Sequence, residues 1–191
     1  MIIDHNKNFI FVAVAKTACT SIHRSFGVLI DPPPPIYHMH LKDIISNNPD
    51  TKDYFKFGFV RNPYDRLVSA YHDFKNSKGH QSWAFPIQRH ATFKDFAMNL
   101  HDSPCKEFIH LQPQYDFLEY ENKIGVDFVG KFESLQDDFK TAQELMGIEA
   151  KRLDKHRTSD HNNYESYYDS ETKHAVYTLY QKDFEAFGYE K

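Results

Sequence analysis

Phe9-Ile10-Phe11-Val12-Ala13-Val14-Ala15 is an unbroken apolar run, and Lys16-Thr17-Ala18-Cys19-Thr20-Ser21 follows it directly. Seven apolar residues rich in β-formers, with no polar alternation, suit a strand buried on both faces, as in a parallel sheet. The pattern then turns small and polar and continues into Ile22-His23-Arg24-Ser25-Phe26, which reads as a helix. Strand, small polar loop, helix is the order in which open α/β sheets present a loop and a helix N-terminus to an anion. A lysine at the mouth of the strand adds a point charge to the backbone N–H groups and the helix dipole. The plain alternative is a strand-to-helix turn with Thr20 or Ser21 as N-cap. The nucleoside-triphosphate motif G-x-x-x-x-G-K-[ST] is excluded, because no glycine lies between Met1 and Phe26.

Outward from this run, Tyr54 to Val60 reads as a second strand and Val126 to Phe132 as a third. Asn62 is a good N-cap and Pro63 a good first helical residue, and Leu67, Val68, Tyr71 and Phe74 recur at helical spacing to about Lys75. Shorter helical stretches fall at Leu41 to Ser46, Phe93 to Leu100, and Cys105 to Glu119 with an interruption at Pro113. Ser134 is placed to cap a helix carrying Leu135, Phe139, Ala142, Leu145 and Met146 on one face. A last helix runs from about Ser170, with Val176, Leu179, Tyr180, Phe184 and Phe187 inward. Asp31 to Pro35 holds four prolines and reads as extended surface chain. Residues 75–90 and the charged stretch 151–163 read as surface loops. Alternation of strands and helices predicts a three-layer α/β fold with a mostly parallel central sheet, formed by one domain over residues 1–191.

Composition narrows the function. With 17 Phe, 12 Tyr and 26 % charged residues the chain is neither disordered nor fibrous. Its net charge of −4 excludes a globally basic nucleic-acid binder, so an anion site must be a local cluster. Two cysteines, Cys19 and Cys105, form no disulfide framework and no thiolate zinc site. The first ten residues lack a signal-peptide pattern, and Phe9 to Ala15 falls short of the about 20 residues that span a bilayer. These features lead to the expectation of a soluble, cytoplasmic protein without a membrane anchor.

Further places hold candidate chemistry. Arg61 leaves the carboxyl end of the second strand, where open α/β sheets bind ligands, and Ser69 lies two helical turns on. Arg66 reads as a surface ion-pair partner of Asp65 or Glu133. His38 and His40 alternate on an extended segment and so point the same way. Two histidines are too few for a metal site, and twelve histidines in the chain make ordinary surface residues the plain reading. A neutral imidazole, with an unperturbed pKa of about 6.5, is also able to take a hydroxyl proton at neutral pH. Gln112 and Gln114 are placed as residues facing an acceptor, and Cys19 as a reactive thiol or a spatial filler. His23 reads as packing or surface, and Lys155, His156, Arg157 and His161 as a solvated loop or a flap over a nucleotide.

Lys16 to Ser21 together with Val60-Arg61-Asn62-Pro63-Tyr64-Asp65-Arg66-Leu67-Val68-Ser69-Ala70-Tyr71 resembles the sulfotransferases that use 3′-phosphoadenosine 5′-phosphosulfate (PAPS). Phe128 to Leu135 and Asp183 to Tyr189 match stretches common in the carbohydrate sulfotransferase group, so the likeness runs from Phe9 to Tyr189. The group it resembles includes the heparan sulfate 2-O-sulfotransferase branch. The resemblance implies that Lys16, Thr17, Ala18, Cys19, Thr20 and Ser21 form a P-loop-like 5′-phosphosulfate loop. It implies that Arg61 and Ser69 bind the 3′-phosphate. The 2-O branch carries a similar His-x-His with the catalytic base among its histidines, which here makes His40 the base and His38 its assistant. Ala15 and Ala18 depart from the proline and glycine of many members. The chain also lacks the anchor and stem of Golgi members, which suggests a minimal bacterial or viral version. The expected function is sulfuryl transfer from PAPS to a hydroxyl of a sugar or glycan, with no metal and no nucleic acid. A P-loop-like kinase or phosphotransferase is the alternative, though it needs a glycine arc; a non-catalytic nucleotide-binding module of the same fold is another.

Overall fold

In the computed structural model, which describes residues 1–28, 37–76, 85–154 and 163–191, the run from Phe9 becomes a wholly buried strand. The elements in chain order begin with β1 (Ile2–Asp4), β2 (Phe9–Val12), α1 (Cys19–Ser25), α2 (Leu41–Asn47), β3 (Phe55–Val60) and α3 (Pro63–Asn76). Then come α4 (Phe85–Gln88), α5 (Phe93–Asn99), α6 (Gln114–Leu118), β4 (Glu119–Tyr120), β5 (Lys123–Ile124) and β6 (Phe128–Lys131). α7 (Leu135–Leu145), α8 (Ser170–Leu179) and α9 (Gln181–Phe187) complete them. The chain divides into two units, residues 1–61 with 114–156 and residues 62–113 with 157–191.

The first unit holds a four-stranded sheet in the order β1-β2-β3-β6. β2 pairs with β3, and β3 with β6, in parallel, at the registers Phe9 opposite Phe55 and Phe57 opposite Phe128. β1 adds an antiparallel edge that the sequence reading did not contain, with Ile2 opposite Phe11. Phe11, Phe57 and Phe59 project from one face and pack with Cys19 and Ile22 of α1 and Phe139 and Ala142 of α7. The other face also excludes water, because Ile10, Val12 and Val60 are buried. Two glycines let side chains lie flat on the sheet. A Cβ on Gly58 would stand 2.6 Å from Leu118 of α6, and one on Gly130 would stand 2.4 Å from the Phe59 ring. The parallel α/β fold expected from alternation is therefore present, with β4 and β5 as a separate small hairpin.

The second unit is helical and packs Tyr71, Phe74, Phe93, Phe96, Val176 and Phe184 into its own core. The expected N-cap of α3 is in place: Asn62 Oδ1 accepts the Tyr64 N–H at 2.9 Å, and its carbonyl accepts the Arg66 N–H at 2.8 Å. Two local readings are corrected. The last helix is broken at Tyr180 into α8 and α9, and there the Tyr180 hydroxyl donates to the Leu111 carbonyl at 2.7 Å. Ser134 does not cap α7 with its side chain; its hydroxyl donates to the Asp138 carboxylate at 2.8 Å, beyond a 3₁₀ turn over Phe132–Ser134. The four-proline segment lies outside the described residues.

Candidate active site

β2 stops at Val12, and Ala13, Val14 and Ala15 stay buried as the chain turns toward α1. Lys16 and Ala18 both take left-handed backbone conformations, with φ of 69° and 67°. An L-residue pays for that geometry in steric energy, and such residues cluster at ligand sites. Two side chains hold the loop from inside. The Thr17 hydroxyl and the Cys19 thiol both donate to the Val14 carbonyl, at 2.8 and 2.7 Å. Burial pushes the Cys19 thiol above its ordinary range, so Cys19 is a spatial filler and not a reactive thiolate.

Thr17 and Cys19 are thus turned inward, toward the Val14 carbonyl. The cap position of α1 is Ala18, which provides no side-chain cap; neither Thr20 nor Ser21 fills that role. The first-turn N–H groups have no intrahelical acceptor, and the cap residue Ala18 makes no side-chain bond to them. Thr20 is half-buried and Ser21 buried within α1.

Arg61 stands next to this loop, immediately after β3. Its Nη1 donates to the Lys16 carbonyl at 3.4 Å, and its guanidinium lies 4.2 Å from the centre of the Phe132 ring. Its backbone is held by Gln114: the Arg61 N–H donates to Gln114 Oε1 at 2.9 Å, and Gln114 Nε2 donates to the Arg61 carbonyl at 2.8 Å. Gln114 is buried, so it does not face an acceptor; Gln112 Nε2 donates instead to the Glu107 carbonyl at 2.8 Å.

The histidine segment reaches the same strand end. His38 Nδ1 donates to the Ala13 carbonyl at 2.7 Å. A carbonyl only accepts, so the bond puts the ring proton on Nδ1 and makes Nε2 the basic nitrogen. Tyr37, one residue earlier, stacks on the buried His23 ring at 4.3 Å, which identifies His23 as packing. His40 is the N-cap residue of α2 and sits edge-on to Phe117 at 4.8 Å, with Nδ1 3.6 Å from the Asp43 carboxylate. Among the described residues no three His, Cys, Asp or Glu side chains gather around a metal position.

Arg61 and His38 thus both meet the chain that leaves β2, through the Lys16 and Ala13 carbonyls; the sequence placed Lys16 and Arg61 at strand ends, and His38 only on an extended segment. Ser69 belongs to the second unit, buried on α3. Arg66, on the same helix, is buried and is not a surface ion-pair partner. Its Nη2 donates to the carbonyls of Gln112 at 2.8 Å and His110 at 3.3 Å. Phe132 and Asp43 had no part in the site as read from sequence, and Gln114 was read there as facing an acceptor, not as a partner of Arg61. Only Asp43, three residues beyond His40 on a helix, carried a spacing signal. The stretch containing Lys155, His156, Arg157 and His161 lies outside the described residues.

Comparison with known proteins gives a single family. The sequence profile of the sulfotransferase family matches residues 1–190. Carbohydrate sulfotransferase 11 of Mus musculus is 27 % identical over 237 residues, covering 99 % of this chain and 66 % of the relative. Carbohydrate sulfotransferase 10 of Xenopus laevis is 26 % identical over 72 % of this chain and 48 % of its own length. Carbohydrate sulfotransferase 12 of Mus musculus is 24 % identical over 73 % and 41 %. The chain therefore spans at most about two thirds of these curated relatives. No solved structure matches. The expectation of a cytoplasmic protein of bacterial or viral kind is overturned, because the relatives found are carbohydrate sulfotransferases of mouse, rat and zebrafish. Among the described residues, no helix is long and apolar enough to cross a membrane.

Proposed function

The chain belongs to the sulfotransferase family, and from that premise we propose that it moves a sulfuryl group from PAPS to a carbohydrate hydroxyl. The observation that carries this reading is the junction of Arg61 with the Lys16 loop, which sets the Arg61 guanidinium against the Lys16 carbonyl beyond the carboxyl ends of β2 and β3. The uncapped first turn of α1 and the Lys16 charge fit a phosphosulfate of the donor, and Arg61 fits a second phosphate. The donor supplies the activated sulfuryl group when bound. Lys16 and the loop N–H groups stabilise charge developing on the departing phosphate oxygen. Arg61 and Ser69 read the 3′-phosphate, an assignment taken from the family likeness of the segment 60–71. The two units act as one sulfotransferase domain, since the family match crosses both.

His40 takes the acceptor proton. What supports it over His38 is the partner of each ring: His40 Nδ1 faces the Asp43 carboxylate, a counter-charge for the proton once taken, whereas His38 faces a carbonyl dipole. His38 ties the segment to the end of β2 and assists. The likeness to the 2-O branch rests on this His38-Met39-His40 pattern. A carbohydrate acceptor is supported by the printed names of the relatives.

Titration calorimetry separates this reading from a kinase. Adenosine 3′,5′-bisphosphate should bind without metal, and ATP with Mg²⁺ far more weakly. Preference for ATP with Mg²⁺ would overturn it.

A further inference from the structure

We propose that Gln114 is the positioning residue for Arg61, and that recognition of the donor's 3′-phosphate depends on its carboxamide. The inference rests on the assignment of Arg61 made above.

Arg61 is the first residue beyond β3. Pairing of β3 with β2 ends at Gly58, and pairing with β6 ends at Val60, which stands opposite Lys131. At Arg61 the strand ladder ends while the residue is still buried. A buried backbone N–H and C=O without acceptor and donor are costly. Gln114 meets both with one group: Oε1 accepts from the Arg61 N–H at 2.9 Å, and Nε2 donates to the Arg61 carbonyl at 2.8 Å. The carboxamide thus stands in for one residue of a neighbouring strand. Its two-point hold fixes the orientation of the Arg61 peptide units, from which the side chain departs toward the Phe132 ring and the Lys16 carbonyl.

The residue type is specific to this task. A carboxamide offers an acceptor and a donor side by side in one plane without needing to be protonated. Gln114 is itself fully buried at the start of the five-residue α6, so it has no surface role to fulfil. An ångström of misplacement at a charged contact costs affinity in the contact it serves, not uniformly. Loss of Gln114 should therefore be felt by ligands that carry a 3′-phosphate and far less by those that do not.

The test measures affinity for adenosine 3′,5′-bisphosphate and for adenosine 5′-phosphate on wild type, Gln114→Met, Arg61→Ala and the double variant. The ratio of the two affinities is insensitive to the fraction folded, because both ligands see the same folded molecules. Gln114→Met should lower the ratio about tenfold, a loss the size of one charge-assisted contact. Arg61→Ala should lower it as much, and the double variant no further. Equal losses for both ligands in Gln114→Met, with Arg61→Ala selective, would overturn the positioning role and leave the function standing. An unselective Arg61→Ala would overturn both. Gln114→Glu decides the matter if Gln114→Met does not fold. A protonated carboxyl reproduces the donor and acceptor, and an ionised one sets an oxygen against the Arg61 carbonyl. Its ratio, relative to wild type at the same pH, should fall as pH rises; a ratio flat in pH would overturn the proposal.

Discussion

Replacing Ala18 with glycine should stabilise the protein, although Ala18 lies in the loop that is to meet the donor. Ala18 is held at φ 67° and ψ 23°, in the left-handed region. For an L-residue this geometry costs about 1–2 kcal/mol, and glycine is free of that cost. Against it stands the larger entropy of the unfolded glycine chain, about 0.4–1 kcal/mol. The difference favours Ala18→Gly by about 0.5–1 kcal/mol. In a chain of this length 1 kcal/mol moves the thermal midpoint by about 2–4 °C, so a rise of about 1–4 °C is expected by calorimetry or circular dichroism. Lys16, at φ 69°, gives an internal control. Lys16→Gly and Lys16→Ala delete the same charge, but only glycine relieves the backbone. The glycine variant should melt at least as high as the alanine variant, and both should lose turnover. A lower midpoint for Ala18→Gly than for wild type would refute the reasoning, because it would mean the entropy cost met no strain to offset it.

Three other outcomes follow from the same geometry. Lys16→Ala should lower turnover more than nucleotide affinity, as read from kcat against the dissociation constant, because its contact strengthens as charge reaches the leaving oxygen. Arg66→Met should cost about 3 kcal/mol in urea unfolding, since it strips a buried charged donor from the His110 and Gln112 carbonyls; a cost under about 0.5 kcal/mol, the surface ion-pair scale, would contradict its burial. Ellman's reagent should find neither Cys19 nor Cys105 in the native protein and both after denaturation, because both are buried and the Cys19 thiol is bonded to Val14.

The parts of the fold that were legible in the sequence are those where one local signal dominates. Phe9–Val12 is a continuous apolar run and Phe55–Val60 is rich in aromatics, and the sheet they form buries both faces. Asn62-Pro63 marked the start of α3 through cap chemistry alone. β1 has three residues and no period to read, and the β4–β5 hairpin is shorter still; its turn depends on Glu121 and Asn122 adopting positive φ. The break between α8 and α9 has no glycine or proline to mark it, and the bond Tyr180 makes there is tertiary. At the site, Lys16 and Arg61 stand out in the sequence as charges at strand ends, and His38 and His40 as an alternating pair. Gln114 does not, because a glutamine that completes a strand edge and one that meets a sugar are the same letters. Arg66 was misread for a similar reason: burial against carbonyls is a property of the folded chain, and its neighbour Asp65 offered a ready surface partner in the sequence.

The central claim is catalysis on a carbohydrate by a histidine base, and transfer of radiolabelled sulfate from PAPS across a panel of glycans tests it most directly. Wild type should label a carbohydrate hydroxyl. His40→Ala should lose about 10²–10⁴-fold in that rate, the usual contribution of a general base, while its affinity for adenosine 3′,5′-bisphosphate stays at the wild-type value. Tight binding of the bisphosphate with no label on any carbohydrate, or full activity in His40→Ala, would contradict the account.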